Sequence, residues 1–177
     1  LNPDWKLTHE MQEKHSSFLF NGVKNQVLNP ELANPLGETK ADLVQYPVKY
    51  LIIADPMFQT QLAPFVAWKT RKGFTVVEAY TNTIGTTTTA IKNYIQGLYN
   101  AGTATDPAPS FVLFVGDAQQ IPSFSYTTTT DTYYSDLKYC EFTGDYIPEM
   151  YYGRFSAQTT AELQPQIDKT LMYEQYT

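Results

Sequence analysis

The sequence predicts an α/β fold, a mostly parallel four-stranded sheet with helices on both faces. Short, almost wholly apolar runs recur at residues 49–55 (KYLIIAD) and 110–116 (SFVLFVG), the mark of strands buried on both faces. Stretches of helical periodicity lie between the strand-like runs. The order reads β-α-β-α-β, then a long loop, then β-α. Alternation of this kind implies parallel strands joined by right-handed crossovers.

Each element has its own signal. Residues 49–55 form the first strand, and residues 58–72 a helix with Leu62, Phe65, Val66 and Lys69 on one face. Arg71 and Lys72 close that helix, with Gly73 at the C′ position. Residues 74–80 (FTVVEAY) are the second strand. Thr87 or Thr88 caps a second helix, whose stripe of Ile91, Tyr94, Ile95 and Leu98 follows the i, i+3, i+4, i+7 spacing; Gly102 ends it. The third strand, residues 110–116, leads into a QQIPSF turn and a threonine-rich stretch, YTTTTDT, read as surface loop. Residues 133–142 read as a short strand or irregular chain, and residues 150–156 (MYYGRFS) as the fourth strand. A last helix starts at Thr159 or Thr160, where TTAE resembles a capping box, and buries Leu163, Ile167 and Leu171. Pro165 is expected to confine or kink it.

Residues 1–47 differ in kind: polar, asparagine-rich and broken by prolines, with no strand-like run. They read as an arm on the main domain or the end of a pro-segment, with one short helix over residues 10–23 burying Met11, Phe18, Leu19 and Val23. The chain opens on Leu, carries no signal-peptide pattern and closes on a helix without a stop signal, the expected look of a piece of a longer protein.

Composition narrows the function. A net charge of −6 with scattered Lys and Arg argues against nucleic acid and anionic membrane as partners. No apolar run reaches the roughly 20 residues that span a bilayer. The single cysteine, Cys140, excludes an internal disulfide and argues against a cysteine-based zinc site. Neither GxGxxG nor a Walker sequence follows the first strand, where the turn is ADPMFQT. A phospho-acceptor reading of Asp55 and Asp117 lacks the further acids and the lysine it needs. Nucleophilic catalysis needs a base beside the nucleophile. The two histidines, His9 and His15, fall in the arm, and Cys140 sits in an aromatic stretch that suits an inert thiol.

The acids near the third and fourth strands are more informative. Asp117, Asp145 and Glu149 stand among Gly, Pro and Tyr and offer only hard oxygen donors, the ligands calcium takes. In GDYIPE, Gly144 and Pro148 bend the loop, which can turn the carbonyls of Phe142 and Ile147 toward the carboxylates. The alternative is that Asp117 caps a turn while Asp145 and Glu149 face solvent.

FVLFVGD with its IP turn, SDLKYCEFTGDYIPEMYYGRFSA, PFVAWKTRKGF, GTTTTAIKNYI and AELQPQIDKTLMYEQ follow one another in an order that resembles the gingipain family of bacterial cysteine endopeptidases. The resemblance covers residues 48–176 and lies nearer the lysine-specific branch. It implies a caspase-like catalytic domain split into two α/β subdomains, with residues 48–177 as the first. The family's catalytic His and Cys belong to the second, so this half is expected to be inactive alone. The resemblance also implies a structural calcium ion on Asp117, Asp145 and Glu149 with the carbonyls of Phe142 and Ile147, although Thr143 replaces an acid found in the lysine-specific branch. It implies a secreted or cell-surface bacterial parent, the second catalytic subdomain as partner, and protein or peptide substrates. The competing expectation is a non-catalytic binding or structural module that keeps the peptidase-like fold.

Overall fold

A computed structural model describes residues 48–175. The expectations placed on residues 1–47, both the arm and its helix, lie outside the described residues.

Strand β1 (Lys49–Ala54) occupies the middle of the main sheet, pairing in parallel with β2 (Thr75–Tyr80) on one side and β3 (Phe111–Val115) on the other. Strand β6 (Tyr151–Phe155) adds in parallel to β3, giving the order β2-β1-β3-β6. Leu51 through Ala54 are fully buried because both sheet faces are covered. Leu51 and Ile53 meet Ile91, Ile95 and Tyr99 on one face. Ile52 and Ala54 meet Phe58, Leu62, Phe65, Leu163 and Ile167 on the other. The predicted class and both helical layers are present.

The helices follow from local chemistry. Asp55 Oδ1 accepts the Met57 N–H at 2.9 Å and starts a 3-10 turn, Pro56–Phe58, that feeds helix α1 (Gln59–Arg71). Gly73, at φ 93°, closes α1: its N–H reaches the Thr70 carbonyl, and the Phe74 N–H reaches that of Lys69. A single turn, α2 (Thr81–Ile84), follows β2. Thr87 is the cap of α3 (Thr88–Asn100), its Oγ1 accepting the Ala90 N–H at 3.1 Å. Tyr99 joins Ile91 and Ile95 in the core, while Tyr94 and Leu98 are only partly buried.

Two expectations are amended. The threonine-rich stretch is the exposed end of a hairpin, β4 (Phe124–Thr127) against β5 (Thr132–Ser135), antiparallel with Tyr126 opposite Tyr133; residues 128–131 are its surface loop, and β5 supplies a short strand at the start of residues 133–142. Phe124 packs on Tyr139 while Ser125 and Thr127 face solvent, so a period-two pattern is present there. One helical turn, α4 (Leu137–Cys140), then buries Tyr139 and Cys140. The second amendment is helix α5, which runs from Thr160 to Gln175 and so includes Pro165 rather than being confined to later residues. Proline deprives only the Ala161 carbonyl of an N–H, and Ala161 is exposed to water. Thr159 caps the start, with Oγ1 accepting the Glu162 N–H at 3.3 Å, while the Glu162 carboxylate reaches back to the Gln158 N–H at 2.7 Å.

Candidate functional site

The predicted ligands fall at two opposite ends of the sheet. Asp117 follows β3, at the carboxyl end. Asp145 and Glu149 precede β6, whose Tyr151 is in register with Phe111 at the start of β3. The length of β3, roughly 13 Å, therefore lies between them. Among the described residues, no group of three or more His, Cys, Asp or Glu side chains is brought together to hold a metal. Of the residues expected in one centre, Asp117 stands apart from Phe142, Asp145, Ile147 and Glu149, because parallel pairing sends the end of β3 and the entry to β6 in opposite directions.

At the carboxyl end, Asp117 caps a turn. Its carboxylate accepts the Gln158 amide at 2.7 Å and the Ser156 hydroxyl at 3.0 Å. Its carbonyl accepts the Gln120 and Ile121 N–H groups. The bond from Gln158, with help from the Ala118 N–H and Ser156, holds the Asp117 carboxyl below its ordinary range. Gly116 permits this turn. Its φ is 138°, and an added Cβ would stand 2.8 Å from the Gln120 Cβ. The turn is tied to the sheet by Arg154 of β6. Its Nη1 donates to the Gly116 carbonyl at 2.8 Å and the Ile121 carbonyl at 2.9 Å. Nε and Nη2 grip Asp136, and Nη2 also reaches Ser123 Oγ at 3.3 Å. Nothing in the spacing of Asp136 and Arg154 announced this pair, although Arg154 is an isolated charge in a stretch rich in tyrosine and other apolar residues.

At the amino end, residues 141–149 form a stapled loop. Glu149 is 3% exposed; its Oε2 accepts the Phe142 N–H and its Oε1 the Thr143 hydroxyl, each at 2.7 Å. The Glu149 N–H returns to the Cys140 carbonyl at 2.8 Å. Asp145 Oδ1 caps the Ile147 N–H at 2.9 Å, and the Glu141 carboxylate caps the Gly144 N–H. Lys92 of α3 donates to the Glu141 carbonyl at 2.8 Å and lies 5.7 Å from the Phe142 ring centre. Tyr99 packs against Phe142 at 5.1 Å. Burial drives the Glu149 carboxyl above its ordinary range, and the nearby Asp145 charge pushes the same way against the bonds from Thr143 and Phe142. The loop thus holds Phe142 to Glu149 and, nearer its tip, Ile147 to Asp145, without Asp117. The tip exposes Tyr146, at φ 64°, and Ile147.

Cys140 lies beneath this loop, fully buried. Burial, reinforced by Glu149 and Asp136, raises its thiol far above the ordinary range. A protonated, inaccessible thiol is no nucleophile. Both histidines lie outside the described residues.

These features define a parallel-sheet scaffold with ordered loops at both ends and no nucleophile–base pair among its described residues. The chain belongs to peptidase family C25, whose model matches residues 44–177. It is 37% identical to Lys-gingipain of Porphyromonas gingivalis over 172 residues, which is 96% of this chain and 10% of that protein. That match takes in most of residues 1–47 as well. Gingipain R2 of the same organism is 28% identical over 129 residues, covering 71% of this chain and 17% of the relative. Among solved structures, a protease superposes with a TM-score of 0.66 at 42% identity, covering 72% of this chain and 28% of its own. The Arg-specific cysteine proteinase gingipain R (RgpB) gives a TM-score of 0.62 at 26% identity, covering 77% and 30% respectively. The chain thus spans about a tenth of the Lys-gingipain that it matches. Among the described residues, no helix is long and apolar enough to cross a membrane.

Proposed function

We propose that this chain is the amino-terminal, non-catalytic half of a gingipain-like cysteine endopeptidase domain, from a secreted or cell-surface bacterial parent. The observation that carries this reading is the pairing of family membership across residues 44–177 with a fully buried Cys140. In this role the module supplies a rigid sheet and two stapled loops to a second catalytic subdomain. Peptide bond cleavage takes place on residues outside it, and the parent's protein or peptide substrates are met there.

Calcium enters the proposal in narrower form, on the 141–149 loop. Asp145 and Glu149, with the carbonyls of Phe142 and Ile147, would hold it. What supports this is that Glu149 is buried near the Asp145 carboxylate, and that burial and this neighbour both disfavour its charged form. A divalent cation there would offset that repulsion and brace the loop.

Assay of the purified chain on Lys- and Arg-ester substrates tests the main reading. No turnover is expected. Turnover abolished by Cys140→Ala would overturn it.

A further inference from the structure

Strand β6 is an edge strand with only part of the usual protection. It is short and its one charge, Arg154, faces inward onto Asp136, but YYGRF holds no proline and no lysine to block pairing on the outer edge. The Tyr151 N–H bonds to the Ser110 carbonyl, and the Phe155 carbonyl accepts the Gly116 N–H. Alternation along a parallel strand therefore aims the N–H and C=O of Tyr152 and Arg154 away from β3. Tyr151 and Tyr152, on opposite faces, are each 40% exposed. Tyr151 continues an aromatic row across the sheet, stacked at 5.5 Å on Phe111, which stacks at 5.7 Å on Tyr50. Beside that row lies a shallow cavity of about 190 Å³, lined in part by Tyr50, Phe111, Leu113 and Gly153. The exposed tip of the 141–149 loop leads directly into this strand. The opposite edge, β2, is guarded: Thr75 and Glu78 are exposed, and Glu78 accepts the Tyr80 hydroxyl at 2.5 Å.

From this asymmetry we infer that the outer edge of β6, with Tyr151, Tyr152 and the neighbouring groove, is the surface on which the rest of the peptidase domain docks, by main-chain pairing flanked by apolar contacts. The inference rests on the proposed function and adds to it the surface used. The occupant follows from length and composition. The chain corresponds to 30% of the solved gingipain R chain, so most of such a domain lies outside the matched part. Residues 1–47 contain no strand-like run to fill an edge. A second copy would bring two chains of net charge −6 together.

Residue-level hydrogen exchange on this chain and on the parent-length protein tests the docking surface. In the 177-residue chain, the Tyr152 and Arg154 amides should exchange as open edges do. In the parent-length protein they should slow about 100-fold or more, with the β2 edge unchanged. Equal exchange in both proteins, or protection at Thr75–Tyr80 instead, overturns the docking surface and leaves the peptidase-half reading intact. Protection already present in the short chain also overturns it. If that protection fades on dilution, a second copy covers the edge; if it does not, residues 1–47 do. Turnover by the short chain would instead strike at the underlying functional reading.

Discussion

Arg154 and Asp136 meet side-on: Nε and Nη2 of the guanidinium each lie 2.8 Å from a different oxygen of the carboxylate. Both side chains are about 15% exposed. The remaining guanidinium hydrogens go to Gly116, Ile121 and Ser123, so one largely covered cation joins β6, the turn after β3 and the foot of the hairpin.

Removing either partner strands a charge. Arg154→Met or Asp136→Leu should each cost on the order of 3–5 kcal/mol, read by urea unfolding. Arg154→Lys should recover little, because an ammonium cannot make the forked contact. A loss below about 1 kcal/mol would place the pair with ordinary surface bridges and contradict its role as a tie.

Glu174 gives a pH dependence of known sign. Burial alone would raise its carboxyl, but bonds from Lys69 at 2.6 Å, Trp68 at 2.9 Å and Lys72 at 3.3 Å hold it below the ordinary range. A depressed folded value means stability that is present above the unfolded value and lost as pH falls through the folded one. Glu174→Gln should therefore lower the melting temperature near neutrality, and the gap to wild type should close as the pH drops below about 4. A gap that widens on acidification would refute the assignment.

Calcium separates the two versions of the metal site. After chelator treatment, millimolar calcium should raise the melting temperature. Asp145→Asn should remove that gain, whereas Asp117→Asn should keep it. An unchanged melting curve would dismiss the ion, and loss of the gain in Asp117→Asn would restore the wider site that the register of β3 and β6 argues against.

Cys140 should be silent toward thiol reagents in the native chain and react only on unfolding. Cys140→Ser should destabilise more than Cys140→Ala, since it buries a hydroxyl in an apolar site. Stoichiometric labelling within seconds at neutral pH would show an accessible thiol and defeat this view.

The sheet was legible because β1 and β3 are buried on both faces, and such strands announce themselves as unbroken apolar runs. Caps were equally readable, from Thr87 and Gly73, because the chemistry of a helix end is local. The hairpin was missed because threonine-rich chain reads as loop while its alternation spans only a few residues on each side of the tip. The separation of Asp117 from Asp145 and Glu149 was legible as well: Asp117 follows one strand and Glu149 precedes another, and in a parallel sheet those positions are opposite ends. The Arg154–Asp136 tie and the Lys92 contact are long-range, and no spacing encodes them.

The clasp between Glu174 and Lys69 joins residues 105 positions apart. During synthesis, helix α5 is the last described element to emerge, and until it does, Leu113 and Val115 lack the Leu163 and Ile167 side chains that share their core. A nascent chain stopped short of α5 would leave one face of the sheet wet and prone to association. Maturation of this module is accordingly an end-weighted event, and cuts near its carboxyl terminus should do more harm than their size suggests.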